Sequence, residues 1–150
     1  MTGKDFQIAV ESEFAFLRLN GFVVETSGKK DTPTGAGVTF VGKNVKVAVL
    51  MDRTEEDYID CYVGAKEDGK SRRRLISLHG FLVRDRHYRG SFREFENNDS
   101  SLQPYLRSLR TYASAMKALA EDIVEDKPGV FAEDKAKQAN QVMHPIEYKG

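Results

Sequence analysis

The chain has no tryptophan, a single cysteine and only four prolines in 150 residues. One cysteine, Cys61, excludes an intramolecular disulfide and any cysteine-cluster metal site. It is expected to pack inward as a small hydrophobe. No apolar run approaches the roughly 20 residues that a membrane helix needs. The opening MTGKDFQIAVESEF carries carboxylates where a signal peptide carries an apolar stretch. A cytoplasmic location with no membrane contact is therefore expected. Net charge is also missing, because 23 basic and 23 acidic side chains cancel. Without overall basicity, general attraction to nucleic acid is modest.

What is present is an ordinary globular balance, 40% hydrophobic and 31% charged. Length and composition suit one domain over 1–150, with a tail from about residue 143. The charge is unevenly placed. Residues 71–93 hold seven Arg against one Asp, between two mildly acidic flanks. This block, and within it Arg84, Arg86, His87 and Arg89, is the first candidate surface for an anionic partner. A solvated face that neutralises its acidic neighbours is the plainer explanation.

Periodicity predicts the elements. Phe6, Val10, Phe14 and Leu17 recur at spacings of 4, 4 and 3, which predicts an amphipathic helix over 5–20 that stops at Asn20-Gly21. Phe22 opens a short strand, and 27–37 reads as a flexible connection. Val38–Val41 and Val45–Leu50 flank Gly42-Lys43-Asn44 as a hairpin. Tyr58–Val63 alternates, with Ile59, Cys61 and Val63 opposite Tyr58, Asp60 and Tyr62. A helix is favoured over 72–83, although Gly80 lies inside it, followed by a loop with Phe92 and Phe95 tucked inward. Tyr105, Leu109, Tyr112, Met116, Leu119 and Ile123 form one stripe of a long helix over 102–125, with Pro104 in its first turn. Lys127-Pro128-Gly129 ends it, and a short helix at 131–142 precedes the tail. The expected fold is α+β: a mostly antiparallel sheet of three to four strands, packed by the N-terminal and the long C-terminal helix.

One segment matches a chemical pattern. Gly64-Ala-Lys-Glu-Asp-Gly69-Lys70-Ser71 fits the phosphate-loop signature, in which backbone N–H groups cradle phosphates, Lys70 reaches the terminal phosphates and Ser71 binds Mg²⁺. Against it stand Glu67 and Asp68, two carboxylates inside an anion cradle, and the lack of a downstream parallel sheet. A surface turn is the favoured reading. His79, His87 and His144 show no metal-ligand spacing. Asp52 and Asp60 are available for a metal-dependent nuclease, but no strand supplies the Glu-x-Lys that such a site needs. No metal or cofactor is expected.

Glu11-Ser-Glu-Phe-Ala-Phe-Leu-Arg-Leu-Asn-Gly-Phe22, then Gly37-Val-Thr-Phe-Val, then Val45-Lys-Val-Ala-Val-Leu-Met-Asp-Arg53, looks like a group of small bacterial proteins. These share an FxxL…GF helix, a VxV…DR strand and a closing helix like Tyr112-Ala-Ser-Ala-Met-Lys-Ala-Leu-Ala-Glu-Asp-Ile. The segment Lys127-Pro-Gly-Val-Phe131 is similar to their ending. By architecture the group resembles immunity proteins of bacterial toxin systems, which bind and block a cognate toxin. The resemblance covers 6–63 and 102–131 and implies a non-catalytic protein-binding module with another protein as partner. Nucleotide binding through Gly64, Gly69, Lys70 and Ser71, or nucleic-acid binding through 72–93, are the alternatives.

Overall fold

Phe6, Val10, Phe14 and Leu17 are all buried, so the N-terminal stripe faces the core as its spacing predicts. In the computed structural model, which describes residues 3–25, 30–32, 35–55, 58–66 and 75–131, this stripe runs over two helices. Helix α1 (Gly3–Glu13) and helix α2 (Ala15–Leu19) meet at Phe14, whose φ of −106° and ψ of 24° break the spiral. The bend seats the Phe14 ring 6.3 Å from Phe40 of the sheet. The predicted stop at Asn20-Gly21 forms as expected. Gly21 takes φ +93°, its N–H bonds to the Arg18 carbonyl, and the Phe22 N–H bonds to the Leu17 carbonyl. This closure needs a left-handed residue after the helix, which glycine adopts without strain.

Among the described residues the sheet has six strands, all paired antiparallel: β1 (Val23–Val24), β2 (Lys30–Thr32), β3 (Gly35–Val41), β4 (Val45–Asp52), β5 (Tyr58–Ala65) and β6 (Ile76–Ser77). The order is β1-β3-β4-β5-β6, with β2 also beside β3. The fold is thus α+β as expected, with more strands than three to four because β1, β2 and β6 are too short to leave an alternation. The predicted connection over 27–37 is corrected by β2 and by the start of β3 at Gly35. A Cβ at Gly35 would lie 2.6 Å from the Met51 carbonyl, so glycine there serves close strand approach.

Strand side chains of one face, among them Val38, Phe40, Val47, Val49, Cys61 and Val63, join the helical stripes in the core. The opposite face presents Leu50 and Tyr58 to solvent, 39% and 52% exposed. The helix favoured over 72–83 is displaced. Helix α3 spans Leu78–Arg86, after β6, and the Ser77 hydroxyl caps it by accepting the Gly80 N–H at 3.0 Å. Gly80 fits because a Cβ there would stand 2.9 Å from that hydroxyl. Arg72, Arg73 and Arg74 lie outside the described residues.

The long C-terminal helix is also divided. Helix α4 (Pro104–Leu119) and helix α5 (Glu121–Val124) meet at Ala120, with Pro104 at the first helical position. Leu109, Met116 and Ile123 are fully buried, whereas Leu119 is only half-buried. After α5, Asp126 adopts φ +54° and closes the helix, with its N–H bonded to the Ile123 carbonyl and the Lys127 N–H to the Asp122 carbonyl. Its carboxylate accepts the backbone N–H groups of Lys43, Asn44 and Val45 in the β3–β4 turn, while the Asn44 amide donates to the Asp126 carbonyl. A Cβ at Gly42 would meet that carboxyl at 2.5 Å. The helix expected at 131–142 and the tail lie outside the described residues. Among the described residues no helix is long and apolar enough to cross a membrane.

Urea denaturation should separate these contributions. Asp126→Ala should cost about 2 kcal/mol, since charge-assisted hydrogen bonds are lost at the hairpin turn. Asp126→Gly should cost less, because glycine removes the left-handed strain while losing the same bonds. A loss below about 0.5 kcal/mol for Asp126→Ala would show that the carboxylate does not hold the hairpin. Met116→Ala should cost about 2–5 kcal/mol by cavity formation, and Leu119→Ala only about 1 kcal/mol.

Candidate functional site

Strand β5 has two different edges. Its even residues pair with β4, as the bond from the Lys66 N–H to the Asn44 carbonyl in the same register requires. Its odd residues therefore point their backbone groups away from β4. Strand β6 meets this outer edge only at Tyr62 and Val63. Further toward the start of β5 the chain of α3 turns off, and no described strand pairs with Ile59 or Cys61 from that side. The Cys61 N–H is instead taken by its neighbour's carboxylate, Asp60 Oδ1, at 2.8 Å.

Beside this unpaired edge, where Ile59 and Cys61 are buried, lies an open cleft of about 460 Å³. Tyr58 and Ile59 form one wall, Phe92 with Glu96 and Asn97 a second, and Tyr105, Arg107 and Tyr112 of α4 the third. The Tyr112 hydroxyl reaches round the edge to donate to Asp60 Oδ1 at 3.4 Å. Burial first, then the Asp60 carboxylate, push the Tyr112 phenol well above its ordinary range, so it remains a donor. Tyr62 is raised by the same two causes.

The second wall is strained. Phe92 adopts φ +65°, a conformation costing a bulky side chain on the order of 1–2 kcal/mol. It is held by its N–H to the Tyr88 hydroxyl at 3.3 Å and by ring contacts to His79 at 5.2 Å, Tyr88 at 5.6 Å and Tyr112 at 6.0 Å. His79 fixes the same loop through Nε2, 2.9 Å from the Gly90 carbonyl. Its place in the fold is thus structural.

The residues singled out by sequence do not converge on this cleft. Arg84 pairs with Asp85 through two bonds of 2.8 Å. Arg86 pairs with Asp122 and lies 5.2 Å above the Phe81 ring. His87 is the left-handed cap of α3, with φ 54°, and Arg89 is exposed beyond it. Two of the three arginines in this candidate surface thus already meet carboxylates of the chain itself. Gly64 lies within β5 opposite Lys46, on the side paired with β4, so its N–H faces a strand and not a phosphate. Gly69, Lys70 and Ser71 lie outside the described residues, as does His144. Asp52 caps the following turn by accepting the Thr54 N–H and hydroxyl, which hold its carboxyl below the ordinary range. No cluster of metal-ligating side chains occurs among the described residues. Cys61 is fully buried, and burial pushes its thiol far up.

Sequence reasoning placed Tyr58, Tyr105, Tyr112 and Phe92 correctly along the chain and missed that they meet. The available signal was the Tyr-x-Asp-x-Tyr alternation at 58–62, polar-tipped where an ordinary outer face carries Lys, Thr or Glu. No family model, curated protein or solved structure matches the chain.

Two measurements check the electrostatics. A thiol reagent at pH 8 should modify Cys61 about a hundredfold more slowly in the native protein than in urea, because reaction awaits opening. Rapid native modification would place the thiol at the surface. Folding also keeps Cys61 and Tyr112 protonated above their ordinary values of 9.0 and 10.0. The unfolded chain releases those protons first, so their contribution to stability is whole below about pH 9 and is lost as pH rises past 10. The melting temperature should fall between pH 8 and pH 10.5, and a flat profile would contradict the buried assignments.

Proposed function

We propose that this chain is a non-catalytic protein-binding module that acts through the cleft beside β5, in the manner of an immunity-type protein that holds and neutralises a cognate toxin. The observation that carries the proposal is the cleft's lining: aromatic side chains, amides and an arginine beside an unpaired strand edge. Tyrosine, phenylalanine and arginine are the side chains that dominate protein interfaces, because they combine large contact area with a polar end. The site groups support binding more than catalysis. Asp60 is engaged by a backbone N–H and by the Tyr112 hydroxyl, and the buried thiol of Cys61 is held in its unreactive form. The proposal places the module in the cytoplasm with another protein as its partner.

Nucleic-acid binding through the Arg block ranks second. The ion pairs of Arg84 and Arg86 reduce its field, while Arg89 and Arg93 are exposed. Nucleotide binding at Gly64–Ser71 ranks third, for the ladder position of Gly64.

Affinity purification with three baits separates these readings: the parent, Tyr58→Asp with Tyr105→Ala, and Arg89→Glu with Arg93→Glu. One polypeptide at stoichiometric amount should remain with the parent and the arginine variant, and weaken at least about tenfold with the cleft variant. Retention by the cleft variant and loss by the arginine variant would move the site to the α3 end. Submicromolar oligonucleotide binding at about 0.15 M salt would replace the proposal with nucleic-acid binding. A melting shift with Mg²⁺-ATP or Mg²⁺-GTP would replace it with nucleotide binding.

A further inference from the structure

We propose that the cleft receives a short segment of the partner protein carrying one acidic and one basic side chain around an aromatic residue, the acidic group meeting Arg107 and the basic group Glu96. This rests on the cleft being the protein-binding site and names the chemistry of what enters it.

Glu96 and Arg107 line the cleft from different walls, and neither has an ion-pair partner among the described residues. The charged groups beside them are already engaged. Arg110 bonds Glu13 at 3.0 Å. The Asp99 carboxyl is held below its ordinary range chiefly by the Ser101 hydroxyl and N–H, and less by the charges of Arg110 and Arg107. Asp60 accepts the Cys61 N–H and the Tyr112 hydroxyl and is not part of the lining. The cleft therefore offers one free charge of each sign.

A single hydroxyl fixes the spacing of these charges. Thr111 Oγ1 accepts the N–H of Asn97, the residue after Glu96, at 3.4 Å. It donates to the carbonyl of Arg107, one turn back on α4, at 2.9 Å. The loop that carries Glu96 and the turn that carries Arg107 are thus tied together without an ion pair between their side chains. Such a pair is preorganised for a complementary pair, because no internal bridge has to break before the partner docks. A segment of one sign satisfies one group and opposes the other, and an uncharged segment takes water from both without replacing it. Tyr58, 52% exposed, and the half-buried Tyr105 line the same space, which suits an aromatic side chain between the charges. At about 460 Å³ the opening takes a few side chains, with the bulk of the partner outside.

Four blocked seven-residue peptides test this. They share a Gly/Ser frame and a central tryptophan, flanked by glutamate then arginine, arginine then glutamate, two glutamates, or two arginines. Each is titrated into ¹⁵N-labelled protein. One mixed peptide should bind at least about tenfold more tightly than either single-sign peptide, with the largest shifts at the Glu96, Asn97 and Arg107 amides. Glu96→Arg with Arg107→Glu should make the other mixed peptide the tighter one. If that exchange disturbs folding, Glu96→Gln alone, at an exposed position, should bring the two-glutamate peptide level with the mixed one. Thr111→Val, which keeps both charges, should narrow the preference, and an unchanged preference overturns the fixed spacing. A single-sign peptide as tight as the better mixed one overturns the inference, as does a preference unmoved by Glu96→Gln. No binding by any peptide also overturns it, while the purification with cleft variants judges the protein-binding proposal separately.

Discussion

A single carboxylate joins the two ends of this fold. Asp126 follows helix α5, yet its oxygens accept the backbone N–H groups of a hairpin turn more than 80 residues earlier in the chain. Turn N–H groups have no partner in either strand, so left alone they depend on water. The carboxylate satisfies several at once, and its own left-handed backbone is tolerated because the helix closure and these bonds hold it. Through that contact α5, and with it α4, is set against the sheet. Gly42 has no side chain because the carboxyl occupies that space. Tyr105, Arg107 and Tyr112 are held over β5 by the buried Leu109, Ala113 and Met116 of α4, while the Asp126 contact fixes the far end of the same helical segment.

The cleft results from a mismatch in length between strands. Strand β5 has eight residues, and β6 covers only two of them before Ser77 caps α3 and the chain leaves the sheet. An uncovered edge invites pairing with other chains and is commonly blunted by charge or by covering elements. Here the edge is flanked by α4 and by the strained loop at Phe92, which leave a gap beside it. Asp60 takes one of the outward N–H groups, and Tyr112 fixes Asp60. The edge is thus covered, with Ile59 and Cys61 buried, and the opening lies beside it and not along it.

The core was legible in the sequence because its periods are clean. The 4-4-3 spacing of Phe6, Val10, Phe14 and Leu17 and the alternation at Val45, Val47 and Val49 identify buried faces without any tertiary information. The breaks at Phe14 and Ala120 were not legible, since periodicity persists across them and only packing shows where the axis turns. Strand β6 was hidden because two residues form no alternation, and its absence as a signal drew the α3 start too early. The cleft was invisible for a further reason. Its walls come from 58–59, 92–97 and 105–112, and each contributes aromatic residues that are indistinguishable from core filler until their hydroxyls and neighbours are placed. For the Arg block, neutralisation by acidic neighbours is the plainer reading, but charge counting cannot name the partners, Asp85 and Asp122, that Arg84 and Arg86 meet.

Strand β5 is unpaired at Ile59 on one side and laddered to β4 along the other. Native-state amide hydrogen exchange reads this residue by residue. Tyr58, Asp60 and Tyr62, paired to β4, should exchange slowly, with Cys61 intermediate through its bond to Asp60. Ile59 should exchange at least about a hundredfold faster than Asp60 and Tyr62 beside it. Protection at Ile59 equal to that of its neighbours would mean that the edge is already occupied, and would contradict the cleft as a binding site.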